Sequence, residues 1–311
     1  MTQEGLVLKS TGKWYEVRNA EGIIYQCQIR GKVRLEDRST TNPVAAGDHV
    51  DFTPENEKEG SILLIHPRKN YIIRKSVNLS KEAQIIAANL DQALLAITIT
   101  RPQTTPGFID RFLVTADAYD IPAILLFHKT DQYNEKEKAK LESLIEVYRN
   151  IGFRCIPSSL VTGEGLEVLR ELLTGKVTLI SGHSATGKSS IINHFIPGKN
   201  LRIGDVSESS NKGQHTTTFA EMHALPLGGY IVDTPGIKGF GLVDIPKDEL
   251  HHHMPEFFKL LPECKYHNCL HLNEPDCAVR KALENHAIAE SRYNSYVSMY
   301  NDEEERSVYR N

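Results

Sequence analysis

The sequence predicts a multidomain α/β protein with an all-β N-terminal part, and three observations carry that reading. Short apolar runs broken by turn residues fill the first 72 positions, strands alternate with helical periods from Asn89 onward, and Cys and His crowd together near the end. A chain of 311 residues is long for one domain. Divisions are expected at 1–72, 73–246 and 247–311.

In the first part Leu6-Val7-Leu8, Trp14-Tyr15-Glu16-Val17, Ile23-Ile24-Tyr25-Gln26-Cys27, Val50-Asp51-Phe52 and Ile62-Leu63-Leu64-Ile65 read as strands. Asn19-Ala20-Glu21-Gly22, Asn42-Pro43 and Gly47-Asp48 punctuate them. No helical period intrudes, and about five strands in this length suit an OB-fold barrel. Basic residues group at Arg30-Gly31-Lys32-Val33-Arg34, Arg68-Lys69 and Arg74-Lys75, and Trp14 and Tyr15 follow Lys13. Aromatics beside cations on a barrel stack bases and pair phosphates, which suits RNA. A solvated charged loop over core aromatics accounts for the same residues equally well.

From Asn89 the texture is that of a parallel sheet. Leu94–Ile99, Ala123–Phe127 and Phe153–Pro157 read as strands, with helices over Ile109–Tyr119, Glu135–Asn150 and Gly165–Leu173 between and after them. Alternation of this kind places ligands at the carboxyl ends of the strands.

The strongest motif follows the next strand, Val177–Ile180. Gly182-His183-Ser184-Ala185-Thr186-Gly187-Lys188-Ser189 fits G-x-x-x-x-G-K-[ST], a phosphate-binding loop that runs on through Ser190 into a helix over Lys188–Phe195. Gly182 and Gly187 let the backbone wrap with its N–H groups inward. Lys188 reaches the β- and γ-phosphates, and the Ser189 hydroxyl suits Mg²⁺.

Three further motifs fall at strand ends. His128-Lys129-Thr130-Asp131 is close to N-K-x-D, in which the carboxylate accepts from the guanine N1–H and amine while the Lys stem covers the ring. Adenine has no such donor pair, so Asp131 selects GTP and disfavours an ATP-using kinase. Ser158-Ser159-Leu160 lies where a backbone N–H meets the guanine O6. Asp233-Thr234-Pro235-Gly236 is a D-x-x-G: Asp233 holds Mg²⁺ through water and the Gly236 N–H faces the γ-phosphate. In the polar loop Ser207–Thr218, Thr216 or Thr217 completes the Mg²⁺ shell.

Each short motif is common by chance, but together, in strand context, they predict a P-loop GTPase domain. Its order is circularly permuted, because the base-reading motifs precede the phosphate loop, and a permutation leaves sheet and site intact. Ile237 stands where Ras-type enzymes place a Gln to orient water. His215, in the polar loop, is the catalytic candidate, since an imidazole orients or deprotonates water near neutral pH. Slow intrinsic turnover, accelerated by a partner that orders this loop, follows.

The third part carries Cys264-x4-Cys269-x-His271-x5-Cys277, a donor set suited to one closed, structural Zn²⁺. Crowded Cys in a chain without a signal-peptide pattern argues for metal over disulfides. His251-His252-His253 diverge around a helix axis and are expected on a solvated face. Ala278–Tyr300 reads as one helix and Asp302–Glu305 as an acidic tail.

Composition is that of ordinary globular protein, 40% hydrophobic and 24% charged, and no apolar run approaches membrane-spanning length. A cytoplasmic location is expected. The formal charge of −4 confines any nucleic-acid contact to local patches.

These residues resemble one family over nearly the whole chain, the RsgA (YjeQ) GTPases of bacteria. The resemblance runs through Arg30-Gly31-Lys32, Gly47-Asp48, Pro67-Arg68-Lys69-Asn70, Asn89-Leu90-Asp91-Gln92, Phe108-Ile109-Asp110-Arg111-Phe112, the phosphate loop, Gly213-Gln214-His215-Thr216-Thr217-Thr218, Asp233-Thr234-Pro235-Gly236 and the Cys/Cys/His/Cys knuckle. It implies an OB-fold barrel, a permuted GTPase domain and a C-terminal zinc-binding helical domain. It also implies GTP hydrolysis stimulated by the small ribosomal subunit late in maturation, with release from the subunit, and His215 matching the family's proposed catalytic histidine. The chain departs at His128 for the usual Asn, at Ala185-Thr186 for Gly-Val and at Leu160 for Ala. Expected partners are the small subunit and its rRNA and GTP/GDP, with no membrane and the chain acting as a monomer. The competing reading is an RNA-binding assembly factor that senses GTP against GDP without efficient catalysis.

Overall fold

The computed structural model describes residues 1–30, 43–75, 83–201, 220–233 and 245–301. Its first five strands are β1 (Gln3–Ser10), β2 (Tyr15–Asn19), β3 (Ile24–Ile29), β4 (His49–Pro54) and β5 (Glu59–Ile65). They pair in the cycle β1-β2-β3-β5-β4, and β4 returns to β1, so the sheet closes on itself and leaves no free edge. Alternate residues of these strands, among them Val7, Val17, Tyr25, Cys27, Val50, Phe52 and Ile62, fill the inside.

A hairpin that the sequence reading missed follows, β6 (Tyr71–Lys75) against β7 (Ala83–Ala88). Then come β8 (Gln92–Ile97), α1 (Pro106–Ala118), β9 (Ala123–His128), α2 (Glu135–Asn150), β10 (Arg154–Ser158), α3 (Leu166–Leu173), β11 (Val177–Ser181) and α4 (Lys188–Phe195). β12 (Glu221–Ala224), also unforeseen, and β13 (Tyr230–Asp233) complete the sheet. Its order is β10-β9-β8-β11-β13-β12, parallel except for β12. Both faces are covered, as the continuous apolar strands require. Leu95, Ile97, Leu125 and Phe127 pack on one side, while Leu94, Leu126, Ile180 and Ile192 pack on the other.

β1 runs on past its pairing with β4 and reaches this sheet. Lys9 of β1 pairs with Glu221 of β12, so one 11-stranded sheet runs through both parts.

The C-terminal segment holds a 3₁₀ turn at Leu250–His253 and helices α5 (Pro255–Leu260), α6 (Ala278–Glu284) and α7 (Glu290–Asn301). The single helix expected over Ala278–Tyr300 is therefore two. His286 takes a left-handed φ of 57°, and the chain turns so that Ile288, 4% exposed, enters the apolar cluster with Phe257, Val279 and Tyr296. The expected solvated histidine face is also corrected. His251 is 4% exposed, its ring centred 4.9 Å from that of His271, because the short 3₁₀ turn lies against the Cys/His knuckle. Only His252 and His253 reach solvent, and His253 Nδ1 lies 2.9 Å from Asp117 Oδ2 of α1.

α7 lies on α1 through a sealed polar network. Arg292 donates from Nη1 to Asp110 Oδ1 at 2.7 Å and from Nε to Glu256 Oε1 at 2.7 Å, and the Tyr148 hydroxyl donates to Asp110 Oδ1 at 2.6 Å. Both Asp110 and Arg292 are buried, and the paired charges and hydrogen bonds offset the cost of taking them out of water.

Candidate functional site

Parallel register brings four loops to one edge of the sheet. Ser158 at the end of β10 pairs with His128 at the end of β9, and Asp233 at the end of β13 pairs with Ile180 just before the β11 turn. The sequence motifs thus share a crevice at the carboxyl ends of the strands, the place where doubly wound sheets bind ligands.

The phosphate loop is shaped by its two glycines. Gly182 has φ 140°, and a Cβ there would lie 2.5 Å from the Ala96 carbonyl oxygen; Gly187 has φ 100°, and its Cβ would meet His128 Cδ2 at 2.6 Å. Any side chain at either position would force the strands apart. Lys188, first residue of α4, folds back and donates from Nζ to the carbonyls of Gly182 at 2.7 Å and His183 at 2.6 Å. Burial lowers its pKa to about 8, partly opposed by the Asp233 carboxylate. The His183 ring lies on Phe108 at 3.9 Å between centroids, and the Thr186 hydroxyl donates to the His183 carbonyl. Ser184 is exposed, whereas Ala185, Ser189 and Ser190 are half-buried.

The base-reading residues are tied to this loop and to each other. Lys129, at φ 64°, donates from Nζ to the Ala185 carbonyl at 2.8 Å, which stretches its stem across the crevice. The Ser159 hydroxyl donates to Asp131 Oδ1 at 2.5 Å, so the carboxylate is aimed while its residue stays exposed. The Thr130 hydroxyl donates to Glu164 and lies 3.2 Å from the Ser158 carbonyl oxygen. His128 is buried, and its Nδ1 lies 2.9 Å from Ser158 Oγ. Burial, helped by the Lys129 cation, lowers its pKa to about 4, so the ring is neutral at pH 7. Leu160 packs into the apolar face below.

Asp233 is 8% exposed, and burial raises its pKa to about 6 despite the Lys188 cation. A buried carboxylate of this kind, near the first turn of α4, fits a hard divalent cation with Ser189. His215, Thr216, Thr217 and Gly236 lie outside the described residues.

Sequence reasoning missed three supports. Phe108 carries His183, Glu164 holds Thr130, and the Tyr133 hydroxyl donates to the His128 carbonyl at 2.7 Å while accepting from the Ile99 N–H at 3.0 Å. Phe108 lies in a run that carries the resemblance, but its contact with His183, like Glu164 and Tyr133, has no spacing signal of its own.

The predicted metal ligands do converge. One donor atom from each of Cys264, Cys269, His271 and Cys277 lies within 4.8 Å of the other three, so the group could hold a metal ion. His271 presents Nδ1 to the thiols, 3.3 Å from Cys277 Sγ and 3.7 Å from Cys264 Sγ. The Tyr293 and Tyr296 hydroxyls of α7 donate to the carbonyls of His271 and Leu270 and pin the knuckle to that helix. Three thiolates and one imidazole in a buried pocket suit a tetrahedral, closed site.

Comparison with known proteins matches the chain along its length. Residues 65–243 fit the family described as RsgA GTPase, and residues 4–62 the RsgA N-terminal domain. The small ribosomal subunit biogenesis GTPase RsgA of Bacteroides fragilis is 52% identical over 302 residues, covering 97% of each chain. That of Christiangramia forsetii is 50% identical over 305 residues, again covering 97% of both. Among solved structures, YjeQ from Thermotoga maritima has 34% identity and a TM-score of 0.79 over 97% of this chain and 98% of that one. YloQ, described as a circularly permuted GTPase, has 28% identity and a TM-score of 0.74 over 98% of this chain and 96% of that one. With an OB-like barrel, a permuted phosphate-loop domain and a Cys/His knuckle in one chain, this protein belongs to the RsgA GTPase family.

Proposed function

We propose that this GTPase acts in the cytoplasm in the maturation of the small ribosomal subunit, is stimulated by that subunit, and leaves it after hydrolysing GTP to GDP and phosphate. The observation that carries the reading is the crevice at the strand ends. There Lys129, two residues from Asp131, bonds the phosphate loop at Ala185, and Lys188 of that loop lies close enough to Asp233 to act on it, in a chain whose relatives at 50–52% identity are named for small-subunit biogenesis. The proposed parts are 1–72 for RNA binding, 73–246 for GTP and 247–311 for zinc.

In this reading Asp131 accepts from the guanine N1–H and amine, and the Ser159 hydroxyl holds it in place. On nucleotide entry the Lys188 ammonium exchanges two loop carbonyls for phosphate oxygens, and the backbone N–H groups of residues 182–190 close around them. Ser189, Thr217 and Asp233 would hold Mg²⁺, which would supply neutralisation of phosphate charge. Thr216 and Gly236 flank the γ-phosphate. His215 orients the attacking water once the subunit orders its loop, which explains how Ile237 is tolerated where other GTPases use Gln. Cys264, Cys269, His271 and Cys277 hold one structural Zn²⁺.

Two binding measurements test this. ATP at equal concentration should not displace labelled GTP, and Asp131→Asn should move the preference from GTP toward XTP, whose C2 oxygen accepts where guanine donates. Association with isolated small subunits should be tighter with a non-hydrolysable GTP analogue than with GDP and should weaken steeply with salt. Displacement by ATP, or subunit binding indifferent to nucleotide and salt, would contradict the proposal.

A further inference from the structure

Two imidazole nitrogens beside the Cys/His knuckle are buried without a partner. His271, fully buried, turns Nδ1 to the thiols, which leaves Nε2 over. That atom makes no hydrogen bond to the described residues, and neither does Nδ1 of His251, a residue only 4% exposed. The two rings are neighbours, 4.9 Å between centroids and 89° between planes. At that spacing a turn of one ring can bring nitrogen within hydrogen-bond reach of nitrogen. The other groups around His271 are committed. Glu274 accepts from the N–H groups of Leu270, Leu272 and Asn273, the Tyr293 hydroxyl donates to the His271 carbonyl, and Phe257 offers only a ring.

Buried polar groups in folded proteins are paired. A neutral histidine that holds a metal through Nδ1 carries its proton on Nε2, and an outer acceptor for that proton fixes the ring and raises its basicity. Resting on the reading of the knuckle as a zinc site, we infer that His251 is this acceptor, taking the His271 Nε2–H at its Nδ1. His251 stands outside the ligand set, whose four donor atoms come from Cys264, Cys269, His271 and Cys277, so it is a positioning residue. The backbone of His271 is fixed separately, by a left-handed φ of 60° and the Tyr293 bond, and His251 fixes the ring. Its own turn, Leu250–His253, is fastened to α1 where His253 meets Asp117, so the hold on the metal ligand reaches back to the nucleotide domain.

Two readouts on the full-length protein test this: zinc affinity, by competition with a chromophoric chelator, and the proton NMR signal of the His271 Nε2–H in the zinc-loaded state. In the wild type that proton should lie downfield and resist exchange with water. His251→Leu, which fills the space without an acceptor, should weaken zinc binding about tenfold and move the signal upfield. His251→Gln, whose side-chain carbonyl accepts, should recover most of the affinity and the downfield signal. Fast exchange of the proton in the wild type would overturn the proposal without any variant, since water would then be its partner. Equal losses of affinity in His251→Leu and His251→Gln would overturn it too, leaving His251 a packing residue. Wild-type binding decides the metal reading separately: a chain that took up no zinc would sink that reading and this assignment with it, whereas tight binding indifferent to His251→Leu would sink this assignment alone.

Discussion

The nucleotide crevice and the Cys/His knuckle are both ligand sites, yet they are built in opposite ways. In the crevice three charged groups already have protein partners: Lys188 has the carbonyls of its own loop, Lys129 has Ala185 and Asp131 has Ser159. In the knuckle the donor atoms face one another, 3.3 Å from imidazole to thiol at the closest. The described part of the first, the phosphate loop and the base-reading loops, is tied together by hydrogen bonds that a nucleotide would exchange. The other is a gathering of groups that a cation must hold. Nucleotide should thus act on loops already tied together, whereas metal should be part of the scaffold.

The largest expected effect is loss of the metal. Structural zinc contributes on the order of 10 kcal/mol to small domains, so chelation or Cys269→Ser should unfold α5 to α7 first. Hydrogen exchange over residues 255–301 would read this, and unchanged protection there would break the contrast. Lys188→Ala is the counterpart: GDP binding should vanish while the thermal midpoint moves by no more than the equivalent of about 1 kcal/mol.

Next comes the join between α1 and α7. Arg292→Met strands the buried Asp110 carboxylate, which burial already pushes up in pKa, and should cost roughly 3–5 kcal/mol. Adding Asp110→Asn should recover part of that loss, and a double-mutant cycle in urea measures it. If the double variant were no better than Arg292→Met, the network would not be the join.

Acid should act on the sheet through two buried histidines. His128 and His223 are both lowered to about 4, chiefly by burial, with Lys129 helping at the first and Lys199 at the second. A folded pKa below the unfolded one means that the unfolded chain takes up protons first. Stability should hold above about pH 6.5 and fall as pH drops toward 4, by about 3 kcal/mol per histidine at the limit. Urea titrations between pH 7 and 4 measure this, and His223→Gln should flatten the slope. The smallest effect is expected at the barrel contact, where Lys9 and Lys199 flank Glu221 at 3.0 and 3.2 Å but remain partly exposed. Lys9→Ala should cost below about 1 kcal/mol.

Much of this was legible in the residues, and for physical reasons. The phosphate loop, K-x-D and D-x-x-G are fixed by what the ligand demands of a few adjacent positions, so spacing reveals them. β8 is buried along its length and announces itself as an apolar run. β6, β7 and β12 were not read, because strands as short as Glu221–Ala224, with polar residues at Glu221 and His223, leave too little apolar alternation to see. The break between α6 and α7 was hidden too: a left-handed histidine carries no signal until Ile288 is seen to need the core. His251 was misplaced because a histidine triplet reads as polar, while its burial follows from contact with His271, 20 positions away.

The most direct measurement is GTP turnover by the purified protein, alone and with isolated small ribosomal subunits, with Lys188→Ala and His215→Ala run beside it. Slow turnover that rises strongly with subunits, and is lost in both variants, is the result predicted. Subunit-stimulated hydrolysis surviving in His215→Ala would contradict the assigned catalyst. No stimulation in the wild type, with subunit binding still responsive to GTP against GDP, would contradict the enzyme and leave a nucleotide-sensing assembly factor.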